Sequence, residues 1–238
     1  ILPCIPLIKG NHSQIDMDKG LTPYLLTFAP VIMFIAFMTG PDDVRGQGYI
    51  DWLKGQDLNM MVGGTILVTV GAIMMFGGWF VLTQDMMAKS NKTEQDLLML
   101  SRVALILPLT LLLLATGMDM ESWWLVNEGE PDYFTVEEEE AIALNNHNVS
   151  SYIWGTMPIT WALGLILIGV AALMGDKKDK HSAQWVFAAP VVTGLGLIGA
   201  YWSEPLWLFF MIALVISLPI GIMMLMGKLD YLYSEEAE

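Results

Sequence analysis

The sequence predicts an all-α fold, a polytopic integral membrane bundle of six transmembrane helices with several proline kinks. Three observations carry this. Six apolar stretches, at about 21–40, 60–83, 103–118, 152–174, 184–202 and 205–227, contain no Asp, Glu, Lys, Arg or His. The 25 acids, 11 bases and three histidines fall between these stretches or at their edges. Hydrophobic residues make up 55% of the chain and mean hydropathy is +0.53, too apolar for an ordinary soluble domain. A hydrocarbon core about 30 Å thick needs ~20 helical residues. Only helices or closed barrels satisfy every backbone group in lipid. Barrel strands would alternate in polarity, and 61–82 and 206–226 do not. The 238 residues therefore read as one membrane domain, 1–238, with an acidic outer loop at 119–151.

The elements follow in order. Residues 1–8 are apolar but too short to span, and read as a terminal tail or the end of a preceding helix. Span one carries an interior Pro30. The loop after it mixes glycines with Tyr49-Ile50-Asp51-Trp52-Leu53, a stretch suited to the membrane interface. In span two, Gly64, Gly71 and Gly78 recur every seven residues, which places them on one stripe where a second backbone can approach closely. A cytoplasmic connection of mixed charge precedes span three, with Arg102 snorkelling to the headgroups and Pro108 in the inner half of the span.

The stretch 119–151 has internal order. Ser122-Trp123-Trp124-Leu125-Val126 suits an interfacial anchor, and Gly129-Glu130-Pro131-Asp132 is turn chemistry. Thr135 followed by Glu138 matches a capping box, opening a short helix that Asn145-Asn146 would end. Glutamates in that first turn favour the positive end of the helix dipole, so the acidic run needs no metal to explain it. Span four holds Pro158 and a deep Trp161, which reads as a packed indole. Span five offers a second small-residue face, Ala189, Thr193, Gly196 and Ala200, and its own Pro190. Span six contains Pro219. Pro30, Pro108, Pro190 and Pro219 are the hinge candidates, since each frees a carbonyl four residues earlier; Thr110, Thr160, Thr193 and Ser217 stand near enough to compensate. Trp154, Trp202 and Trp207 at outer ends, with Trp79 and Trp185 at inner ends, form an aromatic belt.

Charge sets the threading. With the N-terminus inside, the inner segments carry Lys9, Lys19, Lys89, Lys92, Arg102, Lys177, Lys178, Lys180 and Lys228, and the outer segments only Arg45 and Lys54. The positive-inside rule then places both termini in the cytoplasm. The formal charge of −14 is concentrated outside, with nine acids and no Lys or Arg in 119–151. Such a surface disfavours nucleic acid and favours cations or basic partners. The single Cys4 excludes an intrachain disulfide. Low cysteine content and compact loops suit a prokaryotic plasma membrane.

Chemistry-bearing motifs are sparse. His12, His147 and His181 are isolated in loops, so haem or di-metal ligation within the bundle is not expected. The 18 methionines, densest at Met118-Asp119-Met120 and Met223-Met224-Leu225-Met226, read as apolar filler rather than copper ligands, because no His or Cys joins them. No cofactor is implied. N-x-S/T triplets at Asn11, Asn91 and Asn148 are generic. The leading expectation is a non-catalytic accessory, scaffold or assembly subunit, packing through spans two and five against other membrane subunits or a second copy within the lipid bilayer. The alternative is a transporter or channel for a neutral or weakly cationic small solute, with outer acids concentrating cations at its mouth. An enzyme is the weakest class, since it would have to use loop residues such as His147 or His181.

Overall fold

The computed structural model describes residues 20–38, 44–129, 133–174 and 182–229, with the side chains of 182–184 left out. Residues 1–19, and with them Cys4 and His12, lie outside the described residues, as does His181. Among those described, every regular element is helical: α1 (Thr22–Met38), α2 (Gln47–Lys54), α3 (Leu58–Met87), α4 (Lys92–Asn127), α5 (Val136–Met174), α6 (Ala188–Gly199), α7 (Leu208–Val215) and α8 (Ser217–Leu225). Short 3₁₀ turns at Ser182–Phe187 and Glu204–Trp207 lead into α6 and α7.

Four segments are long and apolar enough to cross a membrane: α3, α4, α5 and the run Glu204–Leu225 that contains α7 and α8. The shorter apolar segments are Thr22–Met38 and Trp185–Gly199. At 1.5 Å per residue α1 reaches about 26 Å, short of a 30 Å hydrocarbon core. The helices close into a ring. α1 packs on α3, α3 on α4, α4 on α5, α5 on α6 and α6 on α7, and α8 returns to α1.

Local chemistry sets the helix ends. Asp57 caps α3 by accepting from the Met60 amide at 2.9 Å. Asn91 and Glu94 form a reciprocal capping box at the start of α4. Thr135 and Glu138 do the same for α5, with bonds of 2.8 and 3.4 Å. Gly129, at φ 67°, closes α4 in the left-handed region that a side chain would resist.

The stretch 119–151 is mostly helix rather than loop. α4 runs on to Asn127 and α5 begins at Val136, so only 128–135 connect them. Asn145 and Asn146 do not end the helix; α5 continues unbroken to Met174. Asparagine alone is a weak terminator, and tertiary packing overrides it here. Ala143 and Ser150 on either side are buried, and the Ser122 hydroxyl reaches the Ala143 carbonyl at 3.4 Å.

These helix ends build a second, smaller core. Tyr49, Ile50 and Leu53 of α2 pack against Trp123 and Ala143, so α2 is folded into this cap. Trp123 is 3% exposed and donates from Nε1 to the Gln56 carbonyl at 2.9 Å, while its neighbour Trp124 stays 46% exposed. The tryptophans expected in the aromatic belt differ in exposure. Trp79 is fully buried and Trp154 half-buried, whereas Trp185 and Trp202 are 73% and 81% exposed.

Glycines set how closely the ring closes. A Cβ at Gly71 would stand 2.7 Å from Met33 Sδ, and one at Gly78 3.0 Å from Leu26 Cδ2, so both glycines face α1. Gly196 lies under the ring of Phe209, and Thr193 and Ala200 are buried, with Ala189 packed against the main core. Gly164, Gly169, Gly194 and Gly221 hold equally close approaches. At Gly221 a Cβ would meet the Thr27 amide nitrogen at 2.8 Å and the Pro23 carbonyl at 2.9 Å, so α8 crosses α1 backbone to backbone.

Pro30, Pro108 and Pro158 lie inside α1, α4 and α5. Pro190 is the third residue of α6, in the first turn, where a missing N–H matters little. Pro219 cannot donate to the Val215 carbonyl, and α7 ends at Val215. Two of the hydroxyls expected to compensate bond elsewhere. Thr110 donates to Ile106 and Thr160 to Met157, whereas Pro108 and Pro158 free Ala104 and Trp154. Ser217 Oγ is buried without a partner.

Candidate solute-binding chamber

The ring is not filled along its whole length. From Gly71 to Gly78 the small residues of α3 let α1 close onto it. About two turns earlier, at Gly63 and Gly64, the same residue type leaves space. A Cβ at Gly63 meets nothing within 4 Å. The result is a chamber of about 870 Å³ at the end of the bundle that carries α2 and the acidic helix ends. That volume falls in the range of small-molecule sites.

Each helix contributes a distinct surface. Phe37 of α1, Trp154 of α5 and Phe210 of α7 line the chamber and meet edge to face, with ring centroids 5.7 to 6.5 Å apart. Phe210 also packs on the fully buried Trp161 at 5.9 Å, which packs on Phe76 at 5.4 Å. An aromatic column thus runs from the chamber into the centre of the bundle, offset as ring quadrupoles prefer. Trp161 is the packed indole its deep position suggests. α3 supplies Met60, Gly63, Gly64, Leu67 and Val68, an apolar and low-relief wall.

The polar wall is built around Asp119 of α4. Tyr49 donates its hydroxyl to Asp119 Oδ1 at 3.3 Å, and the Ser150 hydroxyl is a second partner. Burial first, and the Asp119 carboxylate second, push the Tyr49 phenol up from its ordinary value, so it remains a neutral donor at physiological pH. His147 of α5 stacks on the Tyr49 ring at 3.8 Å between centroids, 20° from parallel. Gln56, Asn59, Asn148 and the exposed Arg45 complete the polar lining. The chamber can therefore offer hydroxyl, amide and imidazole groups and one half-buried carboxylate to a ligand whose remainder lies on aromatic and aliphatic surface.

Among the described residues no group of three or more His, Cys, Asp or Glu is placed to hold a metal ion. Of the helix-packing and hinge candidates, the structure brings only Gly64 to this chamber; Trp52, His147 and Trp154, noted in the sequence for other reasons, also line it. Gly71, Gly78, Ala189, Thr193, Gly196 and Ala200 lie in or against the packed core, as do Pro30, Pro108 and Pro190, while Pro219 is exposed on α8. Asp119 and Tyr49 escaped notice as a pair, although one signal was present. The inward positions of α4, Leu98, Ser101, Leu105, Pro108, Leu112, Ala115 and Ser122, alternate intervals of three and four until a gap that Asp119 fills.

No family model, curated protein or solved structure matches the chain.

Proposed function

We propose that this chain is a six-span membrane protein that admits a neutral or weakly cationic small solute into the chamber, as a transporter or channel. The observation that carries the proposal is the chamber itself, which sets a half-buried carboxylate and its hydroxyl partners among apolar walls. In this reading α1 and Trp185–Gly199 are the two additional spans, their remaining length made up by flanking residues or by local thinning of the bilayer. Both termini face the cytoplasm, and the acidic cap with the chamber mouth faces outward, in a prokaryotic plasma membrane. The interruption between α7 and α8 beside Pro219 is the hinge best placed to move Phe210 at the chamber's edge. Purified protein reconstituted into liposomes tests this directly. Flux of a panel of small amines and alcohols above that of empty liposomes is expected, and Gly63→Leu should remove it. Flux equal to empty liposomes across the panel would defeat the transport reading.

A second reading is the accessory or assembly subunit. The small-residue faces that suggested it are covered by this chain's own helices: Gly71 and Gly78 by α1, and Gly196 by α7. It would therefore have to use the outer lipid-facing surface. A stoichiometric partner in native mass spectrometry would favour it.

A further inference from the structure

Asp119 is a charge-bearing group in an unusual position. It is half-buried on the inward register of α4, where the buried positions are apolar, a hydroxyl or proline, apart from Glu94 in the capping box. Its partners are two hydroxyls, one at 3.3 Å, long for an O–H···O bond. A carboxylate offers about four acceptor sites. Neither of these partners is cationic; Lys54 pairs with Glu140 and Lys92 with Asp96 instead. Partly withdrawing a carboxylate from water without a cationic partner is costly, and an arriving cation offsets that cost. Aromatic rings line the same space, with Trp52, Trp154 and Phe37 offering faces that attract cations and exclude water.

We infer that the chamber binds a small monovalent organic cation, an ammonium on an apolar body, with Asp119 as its counter-charge. This rests on the chamber reading above and names its ligand class. A hard metal ion is a poor fit, because Ca²⁺ takes six to eight oxygen ligands and Asp119 brings one carboxylate. An anion is disfavoured by Asp119 and by the acids around the mouth. Arg45 is exposed, where solvent screens it, whereas Asp119 is half-buried in the wall.

The test uses the full chain in lipid nanodiscs and equilibrium dialysis of radiolabelled phenethylammonium against its neutral counterpart, phenethyl alcohol. Wild type should hold the ammonium at least tenfold more tightly than the alcohol, after subtraction of empty nanodiscs. Asp119→Asn should erase that preference, bringing ammonium binding down to the level of the alcohol. Gly63→Leu, which fills the chamber where a Cβ has free space, should abolish both. Equal binding of the two probes, unaltered by Asp119→Asn but lost in Gly63→Leu, would overturn the cation assignment and keep the chamber. Binding that neither substitution alters would overturn both. Tryptophan emission and size-exclusion profiles matching wild type show that each variant is folded.

Discussion

The crossing of α8 over α1 gives a stringent test of the packing. Gly221→Ala adds one methyl group, 2.8 Å from the Thr27 nitrogen and 2.9 Å from the Pro23 oxygen. Ordinary contact begins near 3.4 Å, so the two helices must separate by roughly half an ångström. Neither atom can rotate aside, because both are backbone. The Thr27 hydroxyl further ties this turn to the Pro23 carbonyl at 2.7 Å. Separation would also loosen Ile220, Met224 and Leu26, all fully buried. Overpacking of this kind costs about 1–3 kcal/mol, against at most ~1 kcal/mol regained from helix propensity. The net loss is about 1–2 kcal/mol, a fall in Tm of roughly 2–8 °C for a chain of this size. Gly63→Ala is the matched control, because its methyl group meets nothing within 4 Å; it should leave Tm unchanged or slightly raised. Thermal unfolding in mild detergent, followed by tryptophan emission, measures both. A Gly221→Ala protein as stable as wild type would refute the close backbone crossing, and with it the closure of the ring.

Other substitutions probe separate parts of the structure. Gly71→Ala should destabilise by crowding Met33, and Met33→Ala in the same chain should recover part of that loss; additive unfolding energies would argue against the contact. Trp123→Phe removes the donor to the Gln56 carbonyl and should cost about 1–3 kcal/mol, with faster protease cleavage near α2 as the readout. Tyr49 has its phenol raised by burial, so the folded protein holds that proton more tightly than the unfolded chain. Stability should therefore be intact below the ordinary phenol value near 10 and fall as pH rises above it. Tyr49→Phe should flatten that alkaline decline in a pH series of melting curves. In a Cys4→Ser background, Glu121→Cys should react with a membrane-impermeant maleimide added outside cells and Lys89→Cys only after lysis; the reverse pattern would invert the proposed threading.

How much of this was legible in the sequence depends on which physical signal a residue carries. Continuous apolar runs announced helices at 60–83 and 152–174 because burial in lipid leaves no alternative, and α3 and α5 contain them. The Thr135–Glu138 capping box was readable because it involves neighbours in sequence. The extensions of α4 and α5 were not, because helix there depends on tertiary packing. Trp123 looks like a lipid anchor until α2, about seventy positions earlier, is seen folded against it. The glycine stripe showed where close approach was possible without saying where it occurs. Gly71 meets α1 while Gly63 faces open space, and the difference lies in the path of α1. Asp119 was hidden by its neighbours, since a carboxylate among acids reads as solvated until the three-four register of α4 is carried past the apolar run.

With the chamber open at Gly63, water and cations should reach the interior there from the acidic face. The direct measurement is the rate at which a cysteine at that position, in the Cys4→Ser background, reacts with a quaternary-ammonium methanethiosulfonate applied outside intact cells. The account predicts reaction, several-fold faster than with the sulfonate reagent, with that advantage lost when Asp119→Asn is added. A thiol at position 63 that reacts with neither reagent would contradict it.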